Sequence, residues 1–278
     1  MKLYNTTKGI LLEHQGVVCH GSGFDWDALF NQEALYERLL DLHAAQEPIA
    51  DAQAQLDREL LPPMQGQELW ASGVTYLRSK EERQEESKDA GGGDFYQRVY
   101  EAERPELFFK ATRHRVVGHR GSVRIRGDSA WNVPEPELVL AINSRGEIIG
   151  YTIGNDMSSR SIEGENPLYL PQAKTYDGCA AVGPGILVTQ EPFPRDALIK
   201  LAISRGGNQV YSGNVTVSQI TRTFESLAGF LFRECSFPAG ALLMTGTGIV
   251  PDAPFTLMSG DTIAISIDHV GTLVNQVA

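Results

Sequence analysis

The stretch WNVPEPELVLAI, residues 131–142, sets Glu135 and Glu137 one residue apart at the head of an apolar run. In a strand, residues two apart project to the same face, so both carboxylates aim at one point. Two buried negative charges without a partner repel each other and lose hydration, at a cost of several kcal/mol. Something positive must therefore sit between them. A surface Lys or Arg beside a strand end would serve, and so would a metal ion.

The residues that follow bear on that choice. SRGE, at 144–147, predicts a hairpin turn, and the chain returns through GYTIGNDMSSRSIEG to deliver Asp156. Such a hairpin brings residues near 137 beside residues near 155 and gathers three carboxylates. No His or Cys lies between 120 and 178. An all-oxygen set of Glu135, Glu137 and Asp156 selects a hard divalent cation, Mg²⁺, Mn²⁺ or Ca²⁺, rather than zinc. Further on, QAKTYDGCAAVGP supplies Lys174 between apolar strands and glycines, a candidate charge at the same site.

The elements that must position these groups are α+β in pattern. GILLEHQGVVCHG predicts a strand pair around Gly16, and DWDALFNQEALYERLLDLHAA predicts a helix capped by Asp25 or Asp27. LLPPMQGQE punctuates the chain, so a boundary is expected near residue 65, with a small N-terminal domain over 1–65 and a catalytic domain over 66–278. After it come a strand at LWASGVTYL, a charged helix at RSKEERQEESKDA, a short helix at FYQRVYEAE, and strand and loop through ELFFKATRHRVVGHRGSVRI. From 134 onward strands dominate, with hairpins at SRGE and RGGN and one interrupting helix, TFESLAGFLFREC. This is not the strict alternation of a doubly wound fold.

Composition excludes several classes. The chain has 278 residues, 42% of them hydrophobic, enough for a sizeable core. The net charge of −11 argues against general nucleic-acid binding. The chain contains no apolar run of membrane-spanning length, and MKLYNTTKGI lacks the marks of a signal peptide. Three cysteines at wide spacing suit reduced thiols, so a cytoplasmic protein is expected. TGTGIV lacks the GxGxxG of a dinucleotide loop, and there is no GxSxG elbow. The basic RHRVVGHR segment, with His114 and His119, suits a loop cap or a weak anion contact.

Taken in order, EPELVLAI, GYTIGNDMSSR, QAKTYDGCAAVGPGI, MTGTGIV and GDTIAISIDHVGTLVN resemble the fumarylacetoacetate hydrolase family over most of 70–278. The resemblance implies a mixed β-roll fold, a homodimer or homotetramer, and a small-molecule 2-oxo acid substrate. It implies Mg²⁺ or a similar ion on Glu135, Glu137 and Asp156, a functional Lys174, and Thr247 near the substrate. A cation held by three carboxylates can chelate a 2-oxo acid and stabilise its enolate.

Hydrolytic members carry a His–Glu pair that activates water. The similar stretch here is VTYLRSKEER, where Tyr76 and Glu82 match but Ser79 stands at the histidine position. Serine is no general base near pH 7 without a base of its own. GVTYLRSKEERQEES, RPELFFKAT and SRSIEGENPLYLPQAK instead resemble the family's 2-keto-3-deoxy-pentonate dehydratases. That likeness implies Glu106 as the base that removes a C3 proton, Lys174 as its helper, and Arg78 and Ser79 as substrate contacts. The product expected is 2-oxoglutarate semialdehyde. The alternatives are a metal-dependent C–C hydrolase of a diketo sugar acid and a non-catalytic metabolite-binding relative.

Overall fold

The computed structural model describes residues 1–77 and 93–278. Strands β1 (Lys2–Thr6), β2 (Gly9–His14) and β3 (Val17–His20) form a meander, with Gln15–Gly16 as the tight turn. Three helices follow: α1 (Trp26–Phe30), α2 (Leu35–Ala44) and α3 (Ala52–Glu59). Asp25 caps α1 by accepting the Ala28 N–H. The helix expected as one piece is thus broken at Asn31–Ala34, where Ala34 takes a left-handed backbone.

The chain continues through β4 (Glu68–Gly73), α4 (Gly93–Glu101), β5 (Glu106–Ala111), β6 (Val116–Val117) and β7 (Ser122–Val123). The long hairpin is β8 (Asn132–Ile142) and β9 (Ile148–Ser159). Next come α5 (Arg160–Glu165), α6 (Leu170–Lys174) and β10 (Ala180–Val188). The chain ends with β11 (Leu198–Arg205), β12 (Asn208–Thr216), α7 (Phe224–Leu231), β13 (Ala241–Met244), β14 (Thr262–Ile267) and β15 (Gly271–Val277). Three carbonyls at and beyond the C-terminal end of α4, those of Val99, Ala102 and Glu103, accept from the Arg222 guanidinium.

Two mixed sheets result. The larger runs β3-β2-β1-β10-β9-β8-β13-β4-β5, with β6 beside β10; the smaller runs β12-β11-β14-β15-β7. Most pairs are antiparallel, while β13–β4, β10–β6 and β15–β7 are parallel. One core fills the space between the sheets, including Leu138, Leu140, Ile153, Ile199, Ile265 and Leu273. A second covers the other face of the large sheet, with Leu12, Phe30, Leu69, Val139 and Leu242.

Residues 1–65 have a small core of their own around Tyr4, Leu11, Val18 and Leu56. They also join the large sheet. β1 pairs with β10 through Lys2↔Leu187 and Leu3↔Ile186, and Leu3, Ile10 and Leu12 join the second core. The N-terminal unit thus extends the edge of the large sheet, and the central strands come from the later part of the chain. The proline break at 61–67 is a loop between α3 and β4.

The expected charged helix over RSKEERQEESKDA lies outside the described residues, as do Arg78, Ser79 and Glu82. The RHRVVGHR segment is structural in its contacts. His119 Nδ1 accepts the Val274 N–H, and Arg120 pairs with Asp57. No described helix is long and apolar enough to cross a membrane.

Candidate functional site

β8 carries two prolines, unusual in a strand inside a sheet because proline cannot donate to a ladder. They fall on the part of β8 that β13 does not cover. Pairing with β13 stops at Met244↔Val139, whereas Pro134 and Pro136 pair only with β9. The sheet therefore opens on one side of residues 134–137, and the loop after β13 turns into that opening. Thr245 donates to the Leu138 carbonyl, and the Gly246 N–H donates to Glu137 Oε2 at 2.5 Å. Gly246 has φ +92°, and a Cβ there would lie 2.0 Å from Thr75 Oγ1, so no side chain fits this approach.

The hairpin register places Glu135 directly opposite Asp156, and Glu137 opposite Gly154. All three carboxylates are buried and offer oxygens that lie within 4.8 Å of one another. The space they enclose with Ser72, Gly73, Arg160, Lys174 and Thr247 is about 20 Å³, room for one ion or water. Three buried like charges around so small a space, with no nitrogen or sulfur donor among them, fit a hard divalent cation.

Three cations surround the cluster. Lys174 Nζ lies 2.7 Å from Glu135 Oε2, 3.1 Å from Asp156 Oδ2 and 2.5 Å from Ser158 Oγ. Arg160 lies 3.0 Å from Glu135 Oε1 and 3.4 Å from Glu163 Oε2. Lys110 lies 2.6 Å from Asp156 Oδ1. Among the described residues, Glu137 has the Gly246 N–H in place of a cation. Burial pushes its carboxyl well above the ordinary range, helped by the charges of Asp156 and Glu135 and opposed in part by Lys174 and Gly246. Burial and the same Glu137 charge also push the Tyr76 phenol up.

A pH dependence follows. Glu137 titrates higher in the folded protein than in the unfolded chain, so its contribution to stability is complete below about pH 4.5 and lost as pH rises through the folded value. A bound cation reverses this by favouring the ionised form. Mg²⁺ at about a hundred times its Kd should raise Tm by about 5 °C at pH 8 and by much less at pH 5. Thermal unfolding with and without Mg²⁺ at the two pH values checks this; an equal or larger rise at pH 5 contradicts it.

The other expected residues are placed as follows. Lys174 is fully buried at the end of α6 and belongs to the cluster. Thr247 lines the small space, but its hydroxyl is turned into its own loop, donating to the Ile249 carbonyl and accepting the Ile249 N–H. Glu106 stands opposite Gly73 in the β4–β5 register, its carboxylate packed where a Gly73 Cβ would be. It also lines a larger cavity of about 540 Å³ with Glu163, Arg98, Arg104, Leu107 and Leu170. Glu106 thus lines the roomier cavity, while the small carboxylate-lined space has Gly73, its strand partner, in its wall.

Lys110, Arg160 and Glu163 were not among the expected site residues. Lys110 had a signal in the sequence: in ELFFKA it shares a strand face with Glu106 and Phe108, a cation inside an apolar run. Arg160 and Glu163 had none beyond their closeness to Asp156.

Comparison with known proteins agrees with this geometry. The chain is 45% identical over 223 residues to a probable 2-keto-3-deoxyxylonate dehydratase of Haloferax volcanii, covering 80% of this chain and 76% of that protein. It is 42% identical over 225 residues to the 2-dehydro-3-deoxy-D-arabinonate dehydratase of Saccharolobus solfataricus, covering 80% and 75%. A solved structure of 2-keto-3-deoxy-D-arabinonate dehydratase complexed with magnesium and 2,5-dioxopentanoate matches with a TM-score of 0.84 and 33% identity. That match covers 100% of this chain and 98% of the other. The family profile described as fumarylacetoacetate (FAA) hydrolase, C-terminal, matches residues 68–278. With its mixed sheets and its buried Glu135–Glu137–Asp156 cluster, this chain belongs to the fumarylacetoacetate hydrolase family.

Proposed function

We propose that this protein is a hydro-lyase that dehydrates a 2-keto-3-deoxy-pentonate to 2-oxoglutarate semialdehyde with a bound Mg²⁺. The observation that carries this reading is the buried Glu135–Glu137–Asp156 cluster with Lys174 on it, in a chain at least 42% identical to two such dehydratases. The magnesium-bound relative, crystallised with 2,5-dioxopentanoate, supports both the ion and the product. Mn²⁺ or Ca²⁺ also suits the donor set.

When bound, the cation supplies Lewis-acid polarisation of the 2-oxo group, which acidifies the C3 protons. Glu135, Glu137 and Asp156 would hold it. Glu106, at the wall of the reaction space, takes a C3 proton. Lys174, clamped by Glu135 and Asp156, keeps a fixed positive charge beside the oxygens where negative charge develops. The C4 hydroxyl leaves as water, and transfer of a C5 proton toward C3 followed by tautomerisation gives the C5 aldehyde. The larger cavity beside Glu106 has room for the C4–C5 end. Thr247, Arg78 and Ser79 belong to this reading as substrate contacts.

The three free cysteines, one of them exposed, support a cytoplasmic setting, and a homodimer or homotetramer is part of the same proposal. The test is a panel of 2-keto-3-deoxy acids with Mg²⁺, with semialdehyde and pyruvate followed together. Semialdehyde from a pentonate supports the dehydratase. Pyruvate plus a second fragment assigns a C–C hydrolase instead, and no turnover of any member leaves a binding protein.

A further inference from the structure

Lys110 takes no part in the reaction above, yet it is as deeply buried as Lys174. Its ammonium stands 2.6 Å from Asp156 Oδ1, donates to the Met157 carbonyl at 3.0 Å and donates to the Lys174 carbonyl. An ammonium has three N–H donors. Two of them donate to these carbonyls, and with the ion pair to Asp156 they join two elements, the end of β9 and the end of α6. The other oxygen of Asp156, Oδ2, meets Lys174 Nζ at 3.1 Å. The carboxylate is thus gripped on both sides. The terminal torsion of an aspartate is broad when left to itself, so such a grip sets where its oxygens point.

We infer that Lys110 is a positioning residue of the metal centre: it fixes the Asp156 carboxylate and the backbone of Lys174 in register for one divalent cation. This rests on the metal reading proposed above. Lys110 is not among the residues that line the small carboxylate space, and it reaches the cluster through Asp156 and Lys174.

Two effects oppose each other when Lys110 is removed. Losing a positive charge near a divalent ion favours tighter binding. Losing the grip on a ligand favours weaker binding, by about 10–100-fold for outer partners of metal ligands. The charge of Lys110 is already largely neutralised by Asp156 at 2.6 Å, and its removal also frees the Lys174 carbonyl. Orientation should therefore dominate.

The experiment is titration of the full chain with Mn²⁺, by calorimetry or water-proton relaxation, for wild type, Lys110→Met, Lys110→Gln and Arg205→Met. Arg205 pairs with Asp261, far from the centre in sequence and in the other sheet, so its variant controls for general destabilisation. The expected result is a Kd for Mn²⁺ raised about 10–100-fold in Lys110→Met. Lys110→Gln, which keeps a donor for Asp156, should recover part of the loss, and Arg205→Met should match wild type. If Lys110→Met does not fold, a raised Kd in Lys110→Gln alone carries the inference. Unchanged or tighter Mn²⁺ binding in the folded Lys110 variants overturns it, as does an equal loss in Arg205→Met. Wild type that binds no Mn²⁺ removes the metal reading, and this inference with it.

Discussion

Glu106→Gln should lower turnover by a factor of about 10²–10⁴ while leaving Mn²⁺ affinity within about twofold of wild type. The substitution keeps the shape of the side chain against Gly73 and removes only its capacity to take a proton. Glu106 lies on β5, outside the carboxylate cluster of β8 and β9, so the ion should not register the change. Steady-state kinetics together with a metal titration check this. Unchanged turnover would take the base role from Glu106; a matching loss of metal binding would make it a ligand.

Glu137→Gln should act in opposite directions on activity and on stability. With one of three ligands neutralised, activity should fall by about three orders of magnitude, in line with the several kcal/mol that a Lewis-acid metal contributes. Chelation of the wild-type protein should produce the same loss, reversed by added Mg²⁺, whereas the variant should not recover. The metal-free variant, by contrast, should be more stable than metal-free wild type at pH 8. The physical cause is the raised carboxyl of Glu137: its ionised form is disfavoured in the fold by burial and by Asp156 and Glu135. Near pH 4.5 the wild-type group is itself protonated in the fold, so the gain should vanish. Chemical denaturation at both pH values, with chelator present, measures it. A destabilised variant at pH 8 would show that hydrogen bonding to Gly246 outweighs the repulsion.

The sequence alone determined the elements in which local pattern and chemistry agree. Glu135 and Glu137 share a face because side chains alternate along a strand, and the SRGE turn brings residues near 137 beside residues near 155. Both facts depend on residues close together in the chain. The hairpins at Gln15–Gly16 and RGGN and the helix of TFESLAGFLFREC are likewise local. Tertiary structure decided whatever depended on distant partners. The proline-rich break near residue 65 is local, whereas the pairing of β1 with β10 joins residues more than 180 positions apart. Lys110 shows in the sequence only as a cation inside an apolar run, with no partner named by local spacing. Only the tertiary packing of β5 against α6, which turns the Lys110 side chain toward the end of β9, brings its ammonium to Asp156 and the Lys174 carbonyl. Arg160 and Glu163 gained their places in the same way, because a buried charge needs a partner and three-dimensional packing chooses which one.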